Sequence, residues 1–379
     1  MQKYDAIVVG AGAMGMSAGY HLAAAGRRVL LIDANDPPHD KGTHHGETRI
    51  IRHAYGEGRE YTPLALRAQE LWEQLEELTG RKLFLPTGFL QAGEPGSSML
   101  EEMAASAREH GVPVERLDRA EIRRRWPDLA LPESNEACFE PEGGVLLCED
   151  CIRSYREAAE KMGAVVKANA PVTEIRPDAD GATVLAGGEV YRADALVVTA
   201  GKYAGRVLQG LGVEAPLRPL RRTVAWFPTD RADYDQARFP AFLFEVPEGM
   251  FYGFPGIGGS GVKVGRHEGP ERPSPLDGPM PAFGAYPEDR GDLEGFMGLY
   301  MPGIAPVASR GSACTYTMTP DEHFILDRHP EYAHVAIGAG FSGHGFKFAS
   351  AVGEVLARMA LKEEPGFDLS LFRISRFIG

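Results

Sequence analysis

The chain has 379 residues, 44% hydrophobic and 25% charged, a balance typical of a soluble globular protein large enough for more than one domain. Its net charge of −13 argues against a nucleic-acid surface, and no apolar run reaches membrane-spanning length. Four cysteines are too few for a disulfide framework, and we see no signal peptide, so we expect a cytoplasmic protein.

The first predicted elements lie between Tyr4 and Asp33. Two short apolar runs at 6–9 and 29–32 predict strands, and the small residues at 16–25 between them predict a helix. Glycines with the spacing G-x-G-x-x-G connect the first strand to this helix, and they are Gly10, Gly12 and Gly15.

This order of elements is typical of a dinucleotide site. Gly10 permits the tight turn, Gly12 lets the backbone approach a pyrophosphate, and Gly15 lets the helix pack closely on the sheet. Asp33 can accept hydrogen bonds from a ribose 2′-OH. The motif does not distinguish FAD from NAD, so an NAD-dependent dehydrogenase and a non-catalytic flavoprotein both stay open.

The next segment, 42–53, is predicted to be a loop crowded with His, Arg and hydroxyl side chains. It contains the adjacent pair His44-His45. Adjacent histidines rarely point at one ion, and no Cys or carboxylate cluster has ligand spacing, so we expect no metal site.

Three helices are predicted next, at 63–79, 97–111 and 118–125, with a strand at 82–91 broken by Pro86 and Gly88. The first helix places five apolar residues on one face and ends at a glycine, and these residues are Leu64, Ala68, Leu71, Leu75, Leu78 and Gly80.

Cys148 and Cys151 form a C-x-x-C before a predicted helix. The apolar face of that helix would comprise Ile152, Tyr155, Ala159 and Met162. A helix N-terminus can lower a thiol pKa, so a redox role is one interpretation. We favour an incidental occurrence, because no thioredoxin-like βαβ pattern surrounds the motif.

Short strands are predicted through 164–200, and Pro216 and Pro219 are interpreted as a linker. An antiparallel sheet should follow, with strands at 223–227, 241–246, 250–254 and 262–265 and a long loop at 269–289. Lys263 lies between two valines of the last strand, so it either faces solvent or is buried for a purpose.

The last predicted elements are a buried strand at 334–340, a glycine-rich junction and a helix with Val352, Leu356 and Met359 on one side. A second glycine-rich strand-to-helix junction this late in the chain indicates a discontinuous nucleotide domain. We expect the C-terminal segment to complete its sheet.

These segments together resemble the family of monomeric sarcosine oxidase and N-methyltryptophan oxidase, nearly end to end. The matching segments are VGAGAMG at 9–15, HHGETRIIRHAYGEGR at 44–59, YGFP at 252–255, CTY at 314–316 and FSGHGFK at 341–347. The family implies oxidation of secondary amino acids to imines, with electrons passed to O2 and release of H2O2.

The resemblance also implies covalent FAD, joined by a thioether between a cysteine sulfur and the 8α-methyl of the flavin. Cys314 stands at the attachment position, although a small buried cysteine without a cofactor is the alternative. Further FAD contacts are implied for Met14, His44, Val172, Gly343, Gly345, Phe346 and Lys347, besides the glycine motif and Asp33.

Other implied roles concern the flavin ring and the substrate. His45, Thr48, Arg49 and Arg52 match the loop that passes over the ring, and Arg49 matches the residue beside it. Arg52 and Lys347 match the pair that grips the substrate carboxylate; an ordinary structural ion pair is the alternative for Arg52.

Lys263 matches the lysine implicated in the reaction with O2, where a fixed cation would stabilise developing negative charge. His267 and Tyr252 match polar residues of the substrate cavity, Tyr316 matches an aromatic wall, and Gly343 is assigned to substrate as well as cofactor. The implied catalytic set is therefore Lys263, His267, Arg49 and Tyr252.

The expected fold is α/β, or α+β overall: a Rossmann-like FAD-binding domain interwoven with a substrate domain on a mixed, largely antiparallel sheet. We assign residues 1–88, 145–215 and 317–379 to the FAD domain and 89–144 and 216–316 to the substrate domain. The expected partners are a small secondary amino acid and O2, with no nucleic acid or membrane, and the chain should be a monomer.

Sarcosine is the first candidate substrate, and its product would hydrolyse to glycine and formaldehyde. Leu243 stands where the sarcosine enzymes of the family have Met, which leaves the preferred N-alkyl amino acid open. The alternatives are N-methyltryptophan, pipecolate and proline.

Overall fold

The structure is a computed structural model that describes residues 2–377. The α-helices of this range are α1 (Ala13–Ala24), α2 (Thr62–Thr79), α3 (Ser98–His110), α4 (Arg119–Arg125), α5 (Cys148–Lys161), α6 (Ala204–Gly210), α7 (Pro287–Tyr300) and α8 (Ala349–Ala360). No helix in the described range is long and apolar enough to cross a membrane.

The first twelve strands are β1 (Gln2–Val9), β2 (Val29–Ile32), β3 (Thr48–Ile51), β4 (Phe84–Leu85), β5 (Phe89–Gly93), β6 (Glu115–Leu117), β7 (Glu136–Glu140), β8 (Gly144–Leu147), β9 (Val165–Lys167), β10 (Val172–Asp178), β11 (Gly181–Ala186) and β12 (Glu189–Val198). The remaining strands are β13 (Arg218–Phe227), β14 (Ala241–Val246), β15 (Gly249–Phe254), β16 (Val262–Arg266), β17 (Arg272–Pro273), β18 (Arg310–Met318), β19 (Ile325–Arg328) and β20 (Val335–Ala339).

The first sheet is mixed and has eight strands, with the main strand order β10-β11-β12-β1-β2-β9. Its strand β1 leads into the turn that contains Gly10, Gly12 and Gly15, which we call the glycine turn. β1 lies between β2 and β12 and is parallel to both, so its carboxyl end is central in the sheet. β20 pairs in parallel with residues 196–198 of β12, and β19 pairs antiparallel with β20. The prediction that the C-terminal segment completes this sheet is confirmed.

The second sheet has nine strands in the order β17-β13-β16-β15-β14-β5-β7-β6, and β18 also pairs with β13. Every pair in it is antiparallel except β14 with β5, which confirms a mixed, largely antiparallel sheet. Its register places Lys263 opposite Trp226 and Cys314 opposite Arg222.

Side chains of β1 alternate between two hydrophobic cores. Ala6 and Val8 pack with the helices α1, α2, α5 and α8, whereas Ile7 and Val9 pack on the opposite face with α6 and β20. Helices α1 and α8 approach so closely that a Cβ added at Gly353 would lie 2.1 Å from the Ser17 hydroxyl oxygen. The first sheet is therefore covered on both faces, as expected for a Rossmann-like layer.

The predicted loop over 42–53 is wrong in its second half, because residues 48–51 form β3 in a small sheet of order β3-β8-β4. The β-branched residues Thr48, Ile50 and Ile51 favour this strand. The strand matters for the site, because it fixes the backbone from which Arg49 projects.

Three predictions for single residues are also wrong. Pro219 is not in a linker but inside β13, where its carbonyl accepts a hydrogen bond from the Ser274 N–H at 2.9 Å. Leu78 is 52% exposed although the helical pattern placed it on the buried face. Met162 is also exposed and lies just beyond the end of α5.

The segment 269–289 is not a continuous loop, because it contains β17 and its last residues begin α7. Pro287 occupies the first turn of α7, and the Asp289 carboxylate accepts the N–H of Tyr286 at the helix start. The glycines at 291, 295 and 298 weaken the helical signal of this segment, which explains why α7 was not predicted. The exact boundaries of the two predicted domains stay a prediction.

Candidate active site

A cavity of about 640 Å³ extends from the glycine turn after β1 to the face of the second sheet. Gly10, Gly12 and Asp33 line one end of it. Cys314 and Lys347 also line it, together with aromatic and apolar side chains of the second sheet. The predicted dinucleotide motif and the predicted substrate residues therefore line the same cavity.

The glycine turn has no room for a side chain at Gly10 or Gly15. Gly10 has φ +90°, and a Cβ added there would lie 2.4 Å from the Thr199 carbonyl oxygen. A Cβ at Gly15 would lie only 1.9 Å from the Gly10 carbonyl oxygen. Gly12 is the N-cap of α1 and supplies no side-chain hydrogen bond to the first turn, whose N–H groups can therefore meet a phosphate.

Asp33 is positioned by the same turn. Its carboxylate accepts hydrogen bonds from the N–H groups of Ala11 and Asn35, both at 2.9 Å. His39 Nε2 lies 3.2 Å from the same carboxylate. An ionised carboxylate has about four acceptor positions, so one remains for a ribose hydroxyl.

Arg49 organises the loop that precedes β3. Its guanidinium donates hydrogen bonds to the carbonyl oxygens of Thr43, His45 and Thr48 at 2.7–2.8 Å. The same group lies 5.9 Å from the ring centre of Phe346. Arg49 therefore holds the loop backbone against the cavity, which it also lines.

Glu149, at the start of α5, fixes the turn of this loop. Its carboxylate accepts hydrogen bonds from the N–H groups of Gly46 and Glu47, at 2.8 and 3.1 Å. Both residues have positive φ, +98° for Gly46 and +72° for Glu47. The carboxylate thus holds a backbone conformation that a non-glycine residue rarely adopts.

Lys263 contacts the opposite side of the same turn. Its ammonium donates to the carbonyl oxygens of Gly46 and Thr48, at 2.6 and 3.0 Å, and to the Thr48 hydroxyl at 3.1 Å. Only 2% of Lys263 is exposed, so the solvent-facing alternative is wrong. Burial, aided by the charge of Arg49, lowers the pKa of Lys263 to about 7.

Arg52 follows β3 and is buried beside Glu57. Its Nη2 donates to both carboxylate oxygens of Glu57 at 2.5 Å. Burial alone would raise the pKa of the Glu57 carboxyl, but the Arg52 guanidinium lowers it to about 2. Nη1 of Arg52 has no hydrogen-bond partner within residues 2–377, so this buried nitrogen can still donate a hydrogen bond to a ligand.

Lys347 is buried in the short turn before α8. Its ammonium donates to the hydroxyl of Tyr55 at 3.1 Å and to the carbonyl oxygen of His344 at 2.7 Å. Burial and the nearby charge of Arg52 lower its pKa to about 7. The side chain lines the cavity together with that of Arg52, and we refer to Arg52 and Lys347 as the cation pair.

The second sheet supplies an aromatic wall. The hydroxyl of Tyr316 donates to that of Tyr252 at 3.3 Å, and the His267 ring lies 5.7 Å from the Tyr316 ring. Burial raises the pKa of Tyr252 to about 12 and lowers that of His267 to about 4. At neutral pH both groups are therefore uncharged, and they can donate or accept hydrogen bonds without adding charge to the cavity.

Cys314 projects from β18 into the cavity and is 7% exposed. Burial raises the pKa of its thiol, although Arg49 opposes that effect. Burial also raises the pKa of Cys148 to about 12 and that of Cys151 well above its usual range. The low thiol pKa that a redox C-x-x-C needs is thus not found at Cys148 and Cys151.

Most of the predicted site residues line the one cavity. They are Gly10, Gly12, Met14, Asp33, His44, His45, Arg49, Arg52, Val172, Tyr252, His267, Cys314, Tyr316, Gly343, Gly345, Phe346 and Lys347. Gly15, Thr48 and Lys263 are not among the residues that line it. Gly15 packs on the turn, and Thr48 and Lys263 are hydrogen bonded to each other behind the loop.

Four residues that contact the site had no predicted role: Tyr55, Glu57, Glu149 and His344. Tyr55 and Glu57 lie three and five residues after Arg52 in the sequence, so their closeness to a predicted site residue could have indicated them. Glu149 offered no such signal, because its role depends on a contact across more than a hundred residues.

Comparison with known proteins gives a consistent result. The chain matches the family of FAD dependent oxidoreductases over residues 5–359. It is 49% identical to a monomeric sarcosine oxidase of Bacillus sp. (strain B-0618) over 375 residues, covering 98% of this chain and 96% of that protein. It is 41% identical to an N-methyl-L-tryptophan oxidase of Yersinia pestis (strain Pestoides F) over 375 residues, covering 99% of both proteins.

Among solved structures, L-proline dehydrogenase from P. horikoshii is similar in fold, with a TM-score of 0.87. The similarity covers 100% of this chain and 98% of that one at 21% sequence identity. At this identity the comparison bears on the fold alone.

Proposed function

The chain belongs to the family of FAD dependent oxidoreductases, and from that premise we propose that it oxidises a small secondary amino acid, sarcosine first, with O2 as acceptor. The substrate loses two electrons and two protons to form a C=N bond, and O2 gains them to form H2O2. Water then hydrolyses the imine to glycine and formaldehyde. The observation that supports this most is the cation pair, which lines the same cavity as the glycine turn.

The chain's residues fit FAD. The uncapped start of α1 can receive the pyrophosphate, and Asp33 has an acceptor position left for a ribose hydroxyl. Gly10 and Gly12 would stand at the phosphates, and Arg49 and Cys314 would stand near the ring. When bound, FAD supplies the two-electron acceptor of the reaction.

The cation pair would orient the substrate. Nη1 of Arg52 lacks a partner within the described residues, and the Lys347 ammonium uses two of its three N–H groups on protein oxygens. One N–H from each cation can therefore meet one carboxylate. Two charge-assisted hydrogen bonds fix both the position and the direction of a small amino acid.

Lys263 would serve the half-reaction with O2. It is a fixed cation held by three acceptors in a dry site, and such a group stabilises negative charge that develops on O2. Because its pKa is lowered to about 7, this positive charge is lost as the pH rises above neutrality.

The proposal includes a covalent thioether from Cys314 to the 8α-methyl of FAD. Mass spectrometry of the denatured protein should find an adduct of flavin mass on the Cys314 peptide. Cys314→Ala should release its flavin on denaturation. Cys148→Ala is the matched control, since Cys148 is also buried near Arg49, and it should keep the adduct. Free flavin from the unmodified protein would contradict the covalent link but not the use of FAD.

A peroxide assay tests the activity. Purified protein is supplied with sarcosine, N-methyltryptophan, pipecolate and proline, and sarcosine amide serves as the control without a carboxylate. Sarcosine should give H2O2 at the highest kcat/KM, and the amide should give little. A higher kcat/KM for a bulkier amino acid would replace the substrate within the same chemistry, and no peroxide from any of them would overturn the proposal.

Oligomeric state and location in the cell are also part of the proposal. We propose that the protein works as a monomer, which is supported by its similarity to the monomeric sarcosine oxidase of Bacillus sp.. We also propose a cytoplasmic location, based on the low cysteine content.

A further inference from the structure

One buried tyrosine contacts both members of the cation pair. The Arg52 guanidinium lies 4.3 Å from the ring centre of Tyr55, and the Lys347 ammonium donates to its hydroxyl at 3.1 Å. Tyr55 is fully buried and is not among the residues that line the cavity. It therefore stands behind the two cations, away from the space that a ligand would occupy.

The hydrogen bonds around Tyr55 have one consistent direction. The carbonyl oxygen of Glu322 can only accept, so Nε2 of His344, 3.2 Å away, carries the proton. Nδ1 of His344 is then the acceptor for the Tyr55 hydroxyl at 2.7 Å. Burial lowers the pKa of His344 to about 3, so the ring stays neutral and this direction is kept. The Tyr55 hydroxyl consequently turns its lone pairs toward Lys347.

From this geometry we propose that Tyr55 is a positioning residue that holds the Arg52 guanidinium and the Lys347 ammonium so that one N–H of each faces a substrate carboxylate. The aromatic face positions one cation and the oriented hydroxyl positions the other. The identity of the carboxylate rests on the proposed function, whereas the positioning of the cations does not.

A neutral aromatic residue suits this task. Arg52 and Lys347 repel each other, and this repulsion adds to the effect of burial in lowering the pKa of Lys347. Glu57 already balances the charge of Arg52, so a second carboxylate placed between the two cations would cancel the positive charge that remains to attract the substrate. A ring face and a hydroxyl oxygen stabilise both cations and leave their charge intact.

The test compares two tyrosine-to-phenylalanine variants of the full chain with FAD bound. Tyr55→Phe keeps the ring and removes the hydroxyl. Tyr61→Phe is the matched control, because its ring lies 5.0 Å from that of Tyr55 and its hydroxyl bonds to His323. Calorimetry measures the binding of propanoate and of its neutral amide, propanamide. Steady-state kinetics with sarcosine measures KM and kcat separately.

Tyr55→Phe should weaken propanoate binding about tenfold, as expected for a lost hydrogen bond to a charged group, and should leave the response to propanamide unchanged. KM for sarcosine should rise by a similar factor, with kcat within about twofold. Tyr61→Phe should change none of these values. His344→Leu, which removes the acceptor that orients the Tyr55 hydroxyl, provides a second variant and should weaken propanoate binding several-fold.

An equal loss for propanoate and propanamide, an equal loss in both tyrosine variants, or unchanged propanoate binding in Tyr55→Phe would overturn the positioning role. If the unmodified protein binds propanoate but releases no peroxide with any amino acid, the proposed function fails alone. The propanoate arm then still decides the role of Tyr55.

Discussion

At the residue scale, the two buried lysines distinguish this site from an ordinary cavity. Neither Lys263 nor Lys347 forms a salt bridge with a carboxylate within residues 2–377, and both pKa values are lowered to about 7. Neutral oxygens leave the charge of a buried lysine uncancelled. Lys347 also keeps one N–H group for a ligand, whereas Lys263 uses all three and can act only through its charge. The sequence predicted Lys347 only through the family motif, whereas Lys263 already stood out as a lysine between two valines.

Lys263→Met should slow the reaction of the reduced enzyme with O2 by at least tenfold, because the fixed cation beside the developing charge is lost. Reduction of the enzyme by sarcosine should change by less than threefold. Stopped-flow absorbance measures the two half-reactions separately. An equal slowing of both would remove the specific role of Lys263 with O2.

The cation pair predicts a pH dependence for carboxylate binding. Lys347 must be protonated to bind propanoate, so the dissociation constant should be flat below about pH 6 and rise as pH passes 7. The neighbouring groups Glu57, His344 and His267 have pKa values of about 2, 3 and 4 and do not titrate in this range.

Calorimetric titrations from pH 5.5 to 9 with Lys347→Met check this dependence. The variant should bind more weakly and lose the rise above pH 7. Lys263→Met is the control, since Lys263 also has a pKa near 7, and it should keep the rise. If the rise disappears in Lys263→Met instead, the pH dependence comes from Lys263, which would contradict its assignment to Lys347.

At the element scale, the strand–turn–helix unit of β1 and α1 was predictable because its glycines are required by close contacts within the unit itself. The Gly15 position touches the Gly10 carbonyl oxygen, a contact local in sequence. The α7 helix was not predictable in the same way, since its buried residues Leu293, Phe296 and Met297 pack on the distant second sheet and its glycines obscure the periodicity. The position of Pro219 inside β13 was not predictable for a similar reason, since its carbonyl oxygen pairs with the Ser274 N–H, which is distant in sequence.

Gly15→Ala should destabilise the fold by ~1–3 kcal/mol through overpacking. It should also lower FAD occupancy, because the added methyl group forces the turn away from the Gly10 carbonyl oxygen. Gly291→Ala, in an exposed helical position with nothing within 4 Å, is the control and should stabilise α7 by ~0.5–1 kcal/mol. Thermal unfolding and the flavin-to-protein absorbance ratio measure both effects. Full FAD occupancy in Gly15→Ala would argue against the glycine turn as the phosphate site.

At the scale of the whole molecule, the sequence predicted two interwoven domains because the sheet of each has its own pattern. One pattern is apolar strands with a glycine turn, and the other is short strands typical of an antiparallel sheet. The patterns did not predict which residues meet across the cavity. Glu149 and Lys263 contact the loop at 46–48 from different elements, and only the folded chain brings them to opposite sides of it. The family resemblance supplied most of the predicted site residues, because local pattern gave a role only to the glycine motif and Asp33.

A buried ion pair connects β13 of the second sheet to the helix α7. Arg221 donates to Asp289 at 2.7 and 2.9 Å, and both side chains are almost fully buried. Asp289→Asn should lower the free energy of unfolding by ~3–5 kcal/mol, because it leaves a buried guanidinium without its counter-ion. Adding Arg221→Met should restore part of that loss. Thermal unfolding of the single and double variants checks this, and a double variant less stable than Asp289→Asn would contradict it.

Our central proposal is that bound flavin takes electrons from a small amino acid held by its carboxylate. Anaerobic mixing of the purified protein with sarcosine, followed by the visible absorbance of oxidised flavin, tests this most directly. Sarcosine should bleach the flavin rapidly, sarcosine amide should bleach it little, and the absorbance should recover when O2 is admitted. Absorbance that persists with sarcosine and every other secondary amino acid tried, or bleaching at the same rate by acid and amide, would contradict it.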